Sequence, residues 1–325
     1  MTRSTSDTSG EADRDETGGA GRGFRLSGHR IAARPLEPAL YLVSTPIGNL
    51  GDITIRALET LAGADIIACE DTRVSRVLLE RYGIATRPHA YHEHNADRAG
   101  PKLIAALEAG QSVALISDAG TPLVSDPGYR LTQTAIAAGL RVIPVPGAAA
   151  PMAALVAAGL PSDTFLFAGF LPSRDKARRD RLATYATLDA TVMFFESPNR
   201  LGACLASAAE VIGPDRPAAV CRELTKAFEE IRRGTLGELA AHYAGESVRG
   251  EIVLAIGPGA APVPSEEDID ALLARLVAEL PAGKAATEAA RLTGQPRKQL
   301  YQRLLDMKQP VASVPEGEDA HGRRT

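Results

Sequence analysis

From Leu40 onward the chain repeats one pattern: a short run of β-formers, a loop rich in Gly and Pro, then a stretch with helical periodicity. "ALYLVS" is followed by "TPIGNLGD" and a helix starting near Ile53; "ADIIACE" is followed by the helical "DTRVSRVLLERYG", which Gly83 closes. "RPHAYHEHNA" reads as a third short strand and loop before a helix over Pro101–Ala109, and "SVALIS" leads through "DAGTPLVSDPG" to a helix over Gly128–Ala138. "RVIPVPG" and "AAAPMAALVAAG" complete this half. Alternating βα units of this kind can bury their apolar faces only as a largely parallel sheet with helices on both sides, an α/β fold.

The domain limits follow from where the pattern starts, changes and stops. Residues 1–37 and 310–325 are polar and aperiodic and read as disordered tails. Residues 38–159 form an N-terminal α/β domain, and the Pro-punctuated, basic segment 160–181 marks the crossing into a second α/β set. That set, residues 160–260, contains "TFLFAGF", "ATVMFFES", a helix over Arg200–Val211, "AAVCREL" and "GEIVLAIG". After the linker "PGAAPVPSEED", residues 266–309 change character to three helices, at Ile269–Leu280, Lys284–Leu292 and Arg297–Met307. The "TGQP" turn between the last two has helix-turn-helix-like spacing.

Composition excludes several classes. The chain is 45% apolar and 23% charged, with a net charge of −4, so no global basic surface announces nucleic acid. Cys69, Cys204 and Cys221 are too sparse for a disulfide framework or a zinc ribbon, and read as buried small hydrophobes in a reducing, cytoplasmic setting. The first residues lack an apolar signal-peptide core. The uncharged run Val142–Leu160 contains Pro144, Pro146, Gly147 and Pro151, which suits a buried strand, turn and helix rather than a membrane span.

Three Gly/Pro loops follow strands, at Thr45–Asp52, Ser117–Gly128 and Pro144–Ala150, where a doubly wound sheet keeps its ligand. None contains Lys or Arg, and neither a P-loop nor a G-x-G-x-x-G motif occurs. Asp118 and Asp126 would repel phosphate but suit a sulfonium, an ammonium or ribose hydroxyls. S-adenosylmethionine fits that description. A dinucleotide reading has Glu70 and Asp71 after the second strand in its favour, but the Gly48–Gly51 turn lacks the pyrophosphate pattern.

The motifs "YLVSTPIGNLGDITIRALETL", "IIACEDTRVSRVLL", "HEHN", "LISDAGTPLVSDPGYRL", "VIPVPGAAAPMAAL", "FFESPNRL", "CRELTKAFEE" and "GEIVLAIG" occur in that order, and the resemblance they carry covers about residues 38 to 308. Together they resemble the tetrapyrrole (corrin/porphyrin) methylase superfamily, and "STPIGNLGD" with "EDTR" resembles its ribosomal-RNA-modifying branch. The resemblance implies two α/β domains with S-adenosylmethionine in the cleft between them, plus the C-terminal three-helix unit. It also implies methylation of the 2′-hydroxyl of a cytidine in the decoding region of 16S rRNA, a cytoplasmic homodimer and no membrane partner. Carried over position by position, cofactor contacts fall on Asp118, Gly120, Pro122 and Leu123, on Ala149 and Ala150, and on Phe195, Leu224, Ala255, Ile256 and Gly257. "PGAAA" has Ala where many relatives have Ser or Cys, so backbone must replace any hydroxyl contact there.

Methyl transfer to a hydroxyl requires alignment and benefits from a base, since a ribose hydroxyl is barely acidic. Lys226, Glu223 and Glu70 are the leading candidates, with Asp71 and Glu196 beside them. The plain alternative for "CRELTKAFEE" is an exposed, salt-bridged helix start. His89, His92 and His94 share a short loop without a fixed helical face and do not suggest a metal site. His92 and Asn95 are instead candidates for contact with an unpaired base. Cations for RNA come from "SRDKARRDR", including Arg178 and Arg179, from the three-helix unit with Arg291, Arg297, Lys298, Arg303 and Lys308, and from Arg73 and Arg76. Two other functions remain open at this point: a small-molecule methylase of the tetrapyrrole type, and a non-catalytic nucleotide-binding module associated with RNA.

Overall fold

The computed structural model describes residues 21–259 and 266–307. The chain enters through a hairpin, β1 (Gly23–Leu26) and β2 (His29–Ala32), paired antiparallel. Residues 21–37 are therefore not the tail that their composition suggests. The strands are joined by Ser27–Gly28, both at positive φ (50° and 86°), as a two-residue hairpin turn requires. Phe24 is 0% exposed and packs into the first-domain core, while Arg25 donates its backbone N–H to the Tyr82 carbonyl at 2.7 Å.

The first sheet contains β3 (Leu40–Val43), β4 (Ile66–Cys69), β5 (Pro88–Ala90), β6 (Val113–Ile116) and β7 (Val142–Val145), in the order β5-β4-β6-β3-β7. All neighbouring pairs are parallel. The central β6 is buried at every position, which matches its uninterrupted "VALI". The connecting helices are α1 (Ile55–Gly63), α2 (Thr72–Arg81), α3 (Ala96–Glu108), α4 (Tyr129–Ala137) and α5 (Ala150–Ala158). Thr54 and Asp71 cap α1 and α2 by accepting from the N–H groups of Ala57 and Arg73. Helix α3 starts five residues before Pro101 and carries that proline inside it.

The second sheet is mixed. It contains β8 (Phe165–Phe170), β9 (Thr191–Glu196), β10 (Pro217–Arg222), β11 (Glu230–Thr235) and β12 (Ile252–Ile256), in the order β11-β10-β12-β9-β8. β8 and β9 are parallel, while β12 runs antiparallel between β9 and β10. α6 (Asp175–Ala183), α7 (Leu201–Ile212) and α8 (Leu236–His242) accompany it. "CRELTKAFEE" is not a helix start: it ends β10, turns at positive φ through Glu223 and Thr225, and returns as β11.

Helix α5 joins the halves. Ala154, Leu155 and Ala158 pack with Ile47 against Met193, Ala219, Cys221, Val253 and Ala255 of the second sheet. The run Val142–Leu160 is thus a strand, a turn and a helix with one face buried and Met152 and Val156 exposed, and among the described residues no helix is long and apolar enough to cross a membrane. Cys69, Cys204 and Cys221 are free and buried. Burial pushes the Cys204 and Cys221 thiols up, to about 12 and about 11.

The C-terminal unit comprises α9 (Glu266–Glu279), α10 (Ala282–Thr293) and α11 (Arg297–Met307). Its own core is Ile269, Leu273, Ala285, Ala286, Ala289, Leu300 and Leu304. Gly294 ends α10 in the left-handed conformation, at φ 69°. Lys308 and the tail 310–325 lie outside the described residues.

Replacing Phe24 by Ala removes a fully buried aromatic and is expected to cost about 3 kcal/mol. The check is a lower urea midpoint at an unchanged slope. A midpoint equal to that of the parent would mean that the hairpin contributes nothing to the core.

Candidate active site

The loops at the C-terminal ends of the first sheet are laced together by short hydrogen bonds. The Thr45 N–H donates to the Gly120 carbonyl at 2.9 Å, and the Gly120 N–H returns to the Thr45 carbonyl at 3.1 Å. Thr45 Oγ1 donates to the Ser117 carbonyl at 3.2 Å. Thr121 Oγ1 lies 3.0 Å from Ser44 Oγ and donates to the Ala148 carbonyl at 3.1 Å. The loops after β3, β6 and β7 are thereby one frame. Gly120 is required in it: φ is +83°, and a Cβ there would lie 3.2 Å from Ile47 Cγ2.

Beyond Gly120 the chain is held in an uncommon conformation. Leu123 and Ser125 both have positive φ, at 71° and 64°. Non-glycine residues in that region cost on the order of 1 kcal/mol or more each, so the surroundings must enforce them. Leu123 turns its side chain toward the core around Leu115 and Leu131. That leaves Val124, Ser125 and Asp126 facing the space between the two sheets.

The opposite wall comes from the second sheet. Because β12 runs against β9 and β10, its first residues, Ile252 and Val253, lie beside Glu196 and Phe195 at the end of β9, and beside Arg222 and Cys221 at the end of β10. A cavity of about 450 Å³ lies between these strand ends and the laced loops, a volume suited to a nucleoside-sized ligand. Phe195 is fixed in its wall by an edge-on contact with Phe167, with ring centroids 4.7 Å apart.

The charge of the cavity is one-sided. Asp126, Glu196 and Glu251 line it, and among the described residues no Lys or Arg does. The Asp126 carboxyl is pushed up to about 6, first by burial and then by the charges of Glu70 and Asp118, against the opposing effect of the Ser117 hydroxyl. Glu196 has a fully buried side chain that accepts from the Ser197 N–H at 2.8 Å and lies 3.2 Å from Arg200 Nε. Such a donor-poor, acid-rich pocket fits a cationic ligand with hydroxyl groups, and so fits S-adenosylmethionine. It would repel a polyphosphate.

Of the residues expected to hold the cofactor, Gly120, Ala149, Ala150, Phe195 and Leu224 line this cavity. Asp118 does not. It accepts from the Asp71 N–H at 2.9 Å and faces a neighbouring hollow that Lys226 also lines. Pro122 is buried and Leu123 points into the core. Ala255, Ile256 and Gly257 are buried at the far end of β12. They follow from the resemblance, position by position, which carries no strand direction. The reversal of β12 brings Gly250–Val253 to the cavity instead, and only the pairing within the sheet reveals that direction. Phe170, Ser197, Pro198 and Cys221 also line the cavity and carried no separate signal in the sequence.

The candidate bases sort by geometry. The Lys226 ammonium is bonded to Glu223 at 2.8 Å and to Glu251 at 3.0 Å. Burial alone would lower its pKa, but the two carboxylates outweigh burial and hold it above the usual lysine range. It stays protonated at neutral pH and cannot serve as a base. Its stem lies over Gly48, where a Cβ would come within 2.5 Å of Lys226 Cγ, so it clamps the loop after β3 to the turn after β10. Glu223 is held below the usual carboxylate range, chiefly by Lys226, and is consumed in the same clamp. Glu70 opens onto a second cavity with His92, Glu93, His94, Ser125, Asp126 and Pro127. Burial and then the charge of Asp118 raise its pKa.

The basic residues divide likewise. Arg178 cannot reach RNA: it is 6% exposed, with its guanidinium on Asp175 at 2.6 Å and on Ser207 at 3.1 Å, latching α6 to α7. Arg179 is paired with Asp175 and Glu210. In a helix that packs against its neighbour, every third or fourth cation of a run turns inward. Arg73 is exposed but bound to Asp71 at 2.6 Å. Asn95 uses both ends of its amide locally, accepting from the His92 N–H and donating to the Ala90 carbonyl. Arg297 and Lys298 are exposed at the start of α11. His89 faces a different hollow from His92 and His94, so the three imidazoles do not converge.

Gly120→Ala introduces a Cβ into the laced frame at a positive φ. It is expected to weaken S-adenosylhomocysteine binding about tenfold, the equivalent of about 1.4 kcal/mol. Calorimetry on the folded variant reads this directly, and unchanged affinity would remove the frame from the binding site.

Residues 39–240 match the Tetrapyrrole (Corrin/Porphyrin) Methylases family, and residues 263–308 match a helix-turn-helix domain described as "RsmI C-terminal HTH domain". A protein named ribosomal RNA small subunit methyltransferase I in Mesorhizobium japonicum is 64% identical over 279 residues, covering 86% of this chain and 95% of the relative. The protein of that name in Escherichia coli O157:H7 is 47% identical over 273 residues, covering 82% and 94%. Among solved structures, a cobalt precorrin-4 methyltransferase of cobalamin biosynthesis superposes with a TM-score of 0.52 at 18% identity, over 68% of this chain and 95% of that one, a likeness of fold. With the family pattern spanning both α/β domains and close relatives matched along nearly their whole length, the chain belongs to the tetrapyrrole (corrin/porphyrin) methylase family and is an S-adenosylmethionine-dependent methyltransferase.

Proposed function

We propose that this enzyme transfers the methyl group of S-adenosylmethionine to the ribose 2′-oxygen of a cytidine in the decoding region of 16S rRNA. The observation that carries the reading is the cation-free cavity between facing strand ends, in a chain 64% identical to a protein named for small-subunit rRNA methylation. Bound S-adenosylmethionine supplies a methyl carbon activated by a positively charged sulfur. Asp126, Glu196 and Glu251 favour that positive charge, while Gly120, Ala149 and Ala150 allow backbone to approach the ligand closely. Phe195 and Leu224 complete an apolar wall that excludes water and limits the geometries open to the reactants.

RNA is recruited through cations outside the cavity. Arg297 and Lys298, exposed at the start of α11, suit phosphate contact, and beside the first sheet Arg73 does the same while His92 suits contact with a base. The enzyme acts in the cytoplasm as a homodimer. Apolar side chains left open support the dimer: Phe165, Leu166 and Phe170 on the edge strand β8, and Met152 and Val156 on α5, the last 77% exposed.

Methyl-labelled S-adenosylmethionine is expected to label small ribosomal subunits, and nucleoside digestion should return the label as 2′-O-methylcytidine. Label on a base would overturn the ribose assignment. Exchanging Arg297 and Lys298 together for Glu is expected to weaken subunit binding and to reduce the slope of log K against log salt by about 2. An unchanged slope would exclude α11 from the RNA contact.

A further inference from the structure

The cofactor cavity has a neighbour. A second cavity of about 470 Å³ is lined by Glu70, His92, Glu93, His94, Ser125, Asp126 and Pro127. Ser125 and Asp126 line both, so the strained turn that begins at Leu123 borders both spaces. The second space is polar, and the rings of His92 and His94 stand edge to face, 6.0 Å apart, on its wall. His92 begins a short turn in which its ring faces the Asn95 N–H and the Asn95 amide oxygen accepts from the His92 N–H. An imidazole edge beside the carboxylates of Glu70, Glu93 and Asp126 suits an unstacked base and its sugar.

We propose that this second cavity seats the acceptor nucleoside and that Asp126, on the turn bordering both spaces, takes the proton from its ribose hydroxyl. The inference rests on the rRNA 2′-O-methylation reading above. A lone pair of the acceptor oxygen forms the new O–C bond as the C–S bond breaks, and the bonding pair stays on sulfur, which becomes a neutral thioether. The hydroxyl proton passes to an Asp126 carboxylate oxygen and from there to solvent.

The other acids do not occupy this position. Glu196 has no solvent-exposed side-chain surface and is engaged by Arg200 and its own loop. Glu251 bonds Lys226, and Glu223 is held in the same clamp. Glu70 lines the second cavity but not the first. The groups facing Asp126 are Glu70 after β4, Asp118 and the Ser117 hydroxyl on its own loop, His92, Glu93 and His94 across the second cavity, and Glu196 and Glu251 across the first. Burial first, and then the charges of Glu70 and Asp118, raise its pKa to about 6, which keeps it ionised at neutral pH yet more basic than an ordinary carboxylate.

The test is single-turnover methylation of small ribosomal subunits by the full chain at saturating S-adenosylmethionine, followed against pH. In the wild type the rate should rise with pH through about 6 and level off above it, because only the ionised carboxylate accepts a proton. Asp126→Asn should lower the rate at saturating S-adenosylmethionine about 100-fold or more and abolish that limb. Asp126→Glu should restore part of the rate with a displaced limb. An Asp126→Asn enzyme that retains both rate and limb overturns the proposal. Should that variant fail to fold, His92→Ala decides for the cavity: it should raise KM for subunits about tenfold, more than it lowers kcat, and an unchanged KM overturns the assignment. A wild-type enzyme that binds S-adenosylhomocysteine but leaves ribosomal RNA unlabelled would overturn the functional reading itself, a result distinct from either variant outcome.

Discussion

Everything at the site depends on the apolar seam between α5 and the second sheet. Ala154, Leu155 and Ala158 lie against strands β9, β10 and β12 with Ile47 at their edge. Fully burying a side chain such as Leu155 is worth roughly 2 kcal/mol, and the small alanines let helix and sheet approach closely. This contact brings the strand ends of one sheet to face those of the other. Without it, the laced loops would form a floor with no opposing wall, and Phe195 and Leu224 would face solvent instead of a ligand.

Around that seam the molecule separates its charges. Carboxylates are kept in the cavity, where burial raises the proton affinity of Asp126, and Lys226 is held outside it between Glu223 and Glu251. The same lysine rests on Gly48, so a single charge cluster ties the two domains together at the mouth of the site. A cationic cofactor is favoured by this arrangement, and anionic nucleotides are disfavoured without any steric device.

Much of this was legible in the chain. Alternating strands and helices, the ligand loops at Thr45, Ser117 and Pro144, and the three C-terminal helices all follow from local periodicity and turn chemistry, and they occur where expected. Loops devoid of Lys and Arg pointed to the class of ligand. Illegible features were those set by pairing across sequence distance. The β1–β2 hairpin is eight strand residues long, too brief for a periodic signal, and Phe24 shows its importance only once packed. Arg178 looks like its neighbours in "SRDKARRDR", yet α6 packing turns it inward.

The sequence by itself determined the α/β class, the order of elements and the chemistry that the ligand loops can tolerate, because these depend on residues close together in the chain. Tertiary structure alone decided which end of β12 meets the cavity, that Lys226 is a clamp and not a base, and that Asp126 borders two cavities. Those outcomes depend on strand direction, on ion pairs between distant residues and on burial, and each is a property of which surfaces come together when the two sheets pack.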